Sequence, residues 1–263
     1  DLLFVLVFHW GVFGAAIASV TAQLFSFLFC LIRIRKVEYV QFEKGDWKFN
    51  GKMAVEMLAF GLPIALQMIV IAISGMVLQS AINLQESIFI AGYTAMNKMF
   101  GLLESSAFSL GTASSIFFAQ NYGAGKIQRV KRGMYISLIM GLVYTILTGF
   151  LLLTFDNSIM GLFTQDKDVI EVGIEAMKYF CPFYFLLSIL HALAGTVRGT
   201  GKTIPPMVVL LFSLCVFRMI FIKWVIPYFN TIQSIYILYP VSWAIGAFLM
   251  VLYAWKGKWI EKK

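Results

Sequence analysis

Charge is what this chain has little of. Asp, Glu, Lys and Arg make up 13% of its 263 residues, against 60% hydrophobic ones, and the mean hydropathy is +0.84. A soluble domain of this length cannot hide so much apolar surface, so the composition excludes one and implies a membrane-embedded chain. Histidine is nearly absent, at two residues, and cysteine stops at three. Cys30, Cys181 and Cys215 all sit inside apolar runs, without the spacing of a disulfide framework or a metal site. They read as small buried hydrophobes. There is no His/Asp/Glu cluster and no Ser–His pair at useful spacing, which leaves a membrane-embedded enzyme little to work with. A signal peptide and an initiator Met are also missing: Asp1 leads straight into an apolar run. We therefore expect a piece of a longer protein.

The charge that is present is unevenly placed. The formal net charge is +8 and the isoelectric point about 9.4, but the cations lie between apolar runs rather than on one face. That pattern suits anionic lipid headgroups and argues against nucleic acid. Residues 2–10 are too short to span and read as the end of a cut helix. Uncharged or nearly uncharged runs follow at 11–32, 53–82 (with Pro63 inside), 87–119 and 133–155. A helix from the acidic loop to about residue 197 contains Pro182, and further runs occupy 203–228 and 235–255. At ~1.5 Å per residue, about 20 residues cross a ~30 Å hydrocarbon core. This makes one partial and seven whole spans. Counted over alternate loops, one side holds sixteen of the 21 cations. These are six in the polar stretch 33–52, then Lys126, Arg129, Lys131, Arg132, Arg198, Lys202 and the four lysines of the C-terminal tail. By the positive-inside rule that side, with the C-terminus, is cytoplasmic.

Polar groups inside the spans are the functional candidates, because a charge at the membrane centre costs about 2.5–3.5 kcal/mol even on lenient insertion scales. Glu104 and Arg218 fall near the middle of their runs. Glu104 reads as a carboxyl that gains and loses a proton or binds Na⁺, or as an ordering group paired with Lys98 or Arg218. Arg218 reads as a structural counter-charge. Asn97, one heptad before Glu104, shares its helix face, and Gly101 and Gly111 continue that face as a small-residue stripe for a neighbouring helix. His191 has a side chain suited to proton coupling but also reads as a hydrogen-bonded packing residue. Gln67, one turn after Pro63, could meet a ligand or satisfy carbonyls freed by the kink. Two Gly-Lys stretches, Gly123-Ala-Gly-Lys126 and Gly199-Thr-Gly-Lys-Thr203, mimic a phosphate-binding loop. Gln120 and Thr196 stand where its leading glycine belongs and no strand is expected before either, so both read as tight cytoplasmic turns.

Four motifs carry a resemblance. They are Gly11-Val-Phe-Gly-Ala-Ala-Ile-Ala-Ser, Phe60-Gly-Leu-Pro-Ile-Ala, Gln120-Asn-Tyr-Gly-Ala-Gly-Lys with Arg129, and Val197-Arg-Gly-Thr-Gly-Lys-Thr. At these spacings the chain resembles the C-terminal half of a MATE (multidrug and toxic compound extrusion) transporter of a bacterial branch. The resemblance implies an all-α polytopic membrane protein, the six-helix C-terminal lobe of a twelve-helix, two-lobe transporter. Residues 1–32 would end the N-terminal lobe, 33–52 would be the cytoplasmic linker, and 53–263 the C-terminal lobe. It further implies antiport of drugs or organic cations against H⁺ or Na⁺, without another cofactor, in a bacterial plasma membrane. The implied partners are amphipathic cationic substrates, membrane lipids and the missing N-terminal lobe, with no nucleic acid. A lipid-linked oligosaccharide flippase of the same superfamily is the rival, and would call for a strongly cationic cavity. Gln120, Asn121, Gly123, Ala124, Arg198, Gly199 and Gly201 would be the family's cytoplasmic turns. The acids that NorM-like members carry in two helices of this lobe correspond to about Ile71 and Leu187 here, both apolar.

The cation count makes a direct prediction. Single cysteines introduced as Lys131→Cys and Lys258→Cys in a Cys-free background should react with an impermeant maleimide only after permeabilisation. Labelling of either in intact cells would reverse the orientation.

Overall fold

The computed structural model describes residues 3–37, 48–229, 231–257 and 259–260. Most of the expected linker (38–47) and the last lysines of the tail lie outside the described residues. What is described is helical, without a strand, and divides into two units, Asp1–Val55 and Glu56–Lys263. In the first, a π-helical turn precedes α1 (Gly11–Ile34), in which Gly14 and Ala18 are the buried residues. Val12 is 89% exposed, and most of the other apolar side chains of α1 also face outward. Such a helix is one whose solvent is hydrocarbon.

In the second unit α2 (Gly51–Ile82, described here from Glu56) is followed by α3 (Ser87–Gly123), α4 (Ile127–Thr154) and the short α5 (Asp156–Met160). Then come α6 (Lys167–Phe180), α7 (Tyr184–Gly199), α8 (Ile204–Leu211), α9 (Phe217–Ile220), α10 (Ile226–Phe229) and α11 (Ile232–Trp255). Six helical stretches in the described residues are long and apolar enough to cross a membrane. The run expected at 87–119 is not among them. It forms the 37-residue α3, ample in length at ~1.5 Å per residue, but diluted by Asn97, Lys98, Glu104 and several serines. The expected continuous helix through Pro182 is interrupted by a 3₁₀ turn, Cys181–Phe183, because proline removes a backbone donor and crowds the preceding turn. The start of α6 is capped by Asp166, whose carboxylate accepts from the Asp168 amide at 3.0 Å.

The helix that the unit is built around is α7. Twelve of its 16 residues are buried, and α3, α4 and α11 all pack against it. Each of these meets it through glycine. A Cβ added at Gly111 of α3 would stand 2.8 Å from the His191 carbonyl oxygen. One at Gly195 of α7 would collide with the Gly111 backbone, and one at Gly199 would stand 2.5 Å from the Ser115 carbonyl oxygen. Gly141 of α4 faces Ser188, and Gly246 of α11 faces Leu190 and Ser213. In hydrocarbon no hydrophobic effect drives helices together, so close backbone approach and the dispersion it allows must do so. The stripe expected through Gly101 and Gly111 is therefore half present: Gly111 is a contact, whereas nothing stands within 4 Å of a Cβ at Gly101. Within this core Phe100, Phe180, Tyr236, Tyr239 and Trp243 pack edge to face, tilted or stacked, with centroids 4.8–6.4 Å apart.

Gly195→Ala should lower the melting temperature of the purified full-length protein by an amount matching about 1–3 kcal/mol of overpacking. Gly75→Ala, where a Cβ meets nothing within 4 Å, should be neutral or mildly stabilising. Equal melting of the two variants would remove the glycine seam as the source of cohesion.

Candidate functional site

A cleft of about 400 Å³ opens between α2, α3 and α7, lined among others by Gln67, Glu104, Ser105, Phe108, His191 and Leu214. It exists because α2 docks only in part. Leu78 and Ile82 in its last turns are buried, while its middle is tied by side chains. Ser74 Oγ donates to the Leu214 carbonyl at 2.8 Å, and Arg198 Nη2 donates to Gln67 Oε1 at 3.3 Å. Gln67 thus accepts from Arg198 through its side-chain oxygen.

Three predicted residues, Gln67, Glu104 and His191, come together in this cleft. Glu104 is exposed to it, and its carboxylate makes no hydrogen bond or ion pair with another described residue. The field of the Arg218 guanidinium reaches it, and Lys98 is exposed on α3. His191 is 7% exposed and sets its ring edge-on to Phe108, centroids 5.9 Å apart. Its Nε2 and the Arg198 Nε, two turns along α7, are both buried without a partner among the described residues. Each such orphan costs about 1–3 kcal/mol, which disposes the cleft to take up water or a polar ligand. Asn97 does not join the lining: it is exposed on α3.

Arg218 lies apart from the cleft lining, in the four-residue α9, between two π-helical turns, Phe212–Val216 and Phe221–Val225. π-Turns put an extra residue into a helical turn and gather at functional sites. The first contains Leu214, whose carbonyl receives Ser74. Arg218 Nε donates to Ser242 Oγ at 3.1 Å, and its guanidinium carbon is 4.7 Å from the centre of the Tyr239 ring, a cation–π contact. The Tyr239 hydroxyl in turn hydrogen-bonds that of Tyr93. Arg218 thereby ties α3, α9 and α11 together.

The motif turns are shorter than expected. Gln120, Asn121 and Gly123 are still in α3, with Asn121 Nδ2 donating to the Phe117 carbonyl at 2.7 Å. Ala124 caps the helix, and Gly125 takes the left-handed conformation at φ +71° that glycine adopts without strain. Arg129, Lys131 and Arg132 then belong to the first turns of α4. Arg198 and Gly199 end α7, with Gly201 at φ +91°. Arg198 is half-buried and turned to Gln67. Neither Gly-Lys stretch follows a strand among the described residues. Sequence reasoning missed the two π-turns, which have no local signature, and the bond from Arg198 to Gln67. The Arg in a seven-residue register with His191 was the available signal.

A bundle of membrane-length helices around a small-residue seam, with a largely apolar cleft that holds a carboxylate on one side, defines a multi-pass helical membrane protein. The chain belongs to the MatE family, whose model matches residues 63–224. It is 26% identical over 265 residues to "Probable multidrug resistance protein YoeA" of Bacillus subtilis, covering 96% of this chain and 56% of that protein. It is 24% identical over 254 residues to "Probable multidrug resistance protein NorM" of Thermotoga maritima, covering 96% and 54%. The chain thus spans about half the length of the curated relatives it matches. Among solved structures, a MATE protein in complex with MaL6 superposes with a TM-score of 0.88 at 17% identity, covering 98% of this chain and 59% of that one. A MOP superfamily transporter from Pyrococcus furiosus gives 0.85 at 17%, covering 98% and 58%. At these identities the likeness is one of fold.

Gln67→Leu should destabilise the full-length protein by about 1–3 kcal/mol, because it strands the Arg198 guanidinium. The double variant Gln67→Leu/Arg198→Met should regain part of that loss in a thermal melt. Additive losses would mean that the two side chains do not act as a pair.

Proposed function

We propose that the chain is the C-terminal lobe of a secondary active exporter, which moves drugs or organic cations out of a bacterial cell in exchange for H⁺ or Na⁺. The observation that carries the reading is a carboxylate, Glu104, standing in a cleft of a MatE-family lobe without a bonded partner among the described residues. A mid-helix acid is expensive to keep in a membrane chain, and one without an ion pair is free to exchange a proton, hold Na⁺ or meet a substrate cation. The names of the curated relatives support multidrug export, and their length supports a second lobe as the other wall of the cavity. Alternating access then consists of one lobe rocking against the other around a shared site. Gln67 and His191 share the cleft and would orient substrate or ion, while Arg198 holds Gln67 in place. Structural neighbours described as transporters support a non-enzymatic role. The cation asymmetry of the loops supports a cytoplasmic C-terminus in the plasma membrane. The flippase reading draws less support, since the cleft presents an acid where a cationic cavity would be needed.

Glu104→Gln keeps the shape of the side chain and removes its titration. In the full-length transporter it should express near wild-type level, because a neutral amide is cheaper to bury than a charge. Ethidium efflux should fall close to that of cells carrying empty vector, and what remains should no longer vary with external pH or Na⁺. Normal efflux with unchanged ion dependence would move the coupling out of this lobe. Loss of the protein from the membrane would make Glu104 a folding residue.

A further inference from the structure

A second opening lies on the other side of α7. Both α4 and α11 pack against α7, and they are not packed closely against each other. The gap forms a groove of about 790 Å³, floored by Leu193 of α7. Leu193 is two residues from His191, so at ~100° per residue the groove and the cleft face opposite ways. It is lined by the first three turns of α4 and the last turns of α11. Gln128 and Lys131 stand at the start of α4, with Met134 and Leu138 one to two turns deeper. From α11 come Val251 and Trp255, the latter 84% exposed. The chain then folds back so that Trp259, 2% exposed, donates its indole N–H to the Ala254 carbonyl at 2.9 Å.

We propose that this groove is a specific site for an anionic phospholipid, whose acyl chain lies in the apolar part and whose phosphate lies beside Lys131. Three observations favour this occupant. The groove penetrates to a core residue, Leu193 (3% exposed), so it is an opening between helices rather than a shallow lipid-facing surface. Its polar lining is confined to one end, where Lys131 is exposed beside Lys126, Arg129 and Arg132 on the same stretch and no described carboxylate lines the groove. Its rim carries tryptophan and tyrosine (Trp255 and Tyr135, both exposed), the side chains that settle at the headgroup level. An amphipathic slot with a cationic mouth and an aromatic rim matches a molecule with a negative head and a hydrocarbon tail. Basic pockets between helices on the cytoplasmic side take such headgroups. The partner is thus a discrete lipid held between α4 and α11, distinct from the lipid that bathes the outer faces.

The test is a native mass spectrometry titration of the purified full-length transporter with phosphatidylglycerol and with phosphatidylcholine of matched acyl chains. Phosphatidylglycerol should bind more tightly, and Lys131→Gln should weaken it by about fivefold while leaving phosphatidylcholine unchanged. Met134→Trp, which fills the groove, should reduce phosphatidylglycerol binding with Lys131 still present. Equal affinity for the two lipids, or no effect of Lys131→Gln, would overturn the proposal. So would glycerol 3-phosphate binding as tightly as phosphatidylglycerol, since a free phosphate would then suffice. None of these readouts depends on transport, so they stand or fall separately from the role of Glu104.

Discussion

The approach of backbone to backbone around α7 is the constraint from which the rest of the lobe follows. In water, α3, α4 and α11 would be driven onto α7 by burial of apolar area. In hydrocarbon that drive is absent, and the helices must instead come close enough for dispersion to accumulate. Gly111, Gly141, Gly195, Gly199 and Gly246 make this possible by presenting bare backbone at the crossing points. Because these contacts fix α7 on three sides, the residues it carries are held in place as well. His191 emerges toward the cleft and Leu193 toward the groove.

Against that rigid centre, α2 is attached in a different way. Its docking relies on buried residues near its C-terminal end and on two long-range side-chain hydrogen bonds, from Ser74 and to Gln67. A hydrogen bond contributes about 0.5–1.5 kcal/mol net, little beside a glycine-packed interface. The unit therefore has a stiff part and a lightly held part, and the cleft with Glu104 lies between them. The π-turns on either side of Arg218 fit the same division. The Leu214 carbonyl in the first of them is available to Ser74 of the lightly held helix.

The helical class, the positions of most spans and the family were legible in the sequence, because long apolar runs separated by cations leave few alternatives. Gln67, Glu104 and His191 were also legible as candidates, since a polar residue in an apolar run stands out by type alone. Their convergence was not, because it depends on which way each helix is rotated and three helices contribute. Asn97 shows the limit of the face argument. It shares a heptad with Glu104, yet α3 is long enough that the two positions meet different surroundings. The bond from Arg198 to Gln67 was not legible either, because its neighbours in sequence are turn residues, whereas a long side chain on the last turn of α7 reaches α2. Gly101 and Gly111 looked alike in the pattern. Only the placement of α7 distinguishes the glycine that is a contact from the one that faces open space.

The glycine seam also gives this lobe a one-sided relation to change. A leucine in a core can become smaller or differently branched, and the loss is graded by the cavity left behind. A glycine has nothing to lose: every substitution adds atoms, and at these crossings the added atom meets a carbonyl of another helix, as at Gly111, Gly195 and Gly199, or packed side chains, as at Gly141 and Gly246. The centre of the lobe is thus made of positions where variation runs in one direction only and is unfavourable from its first step. The cleft-facing and lipid-facing surfaces carry no such restriction. A protein built this way can diversify what it touches while the geometry that displays those residues stays fixed.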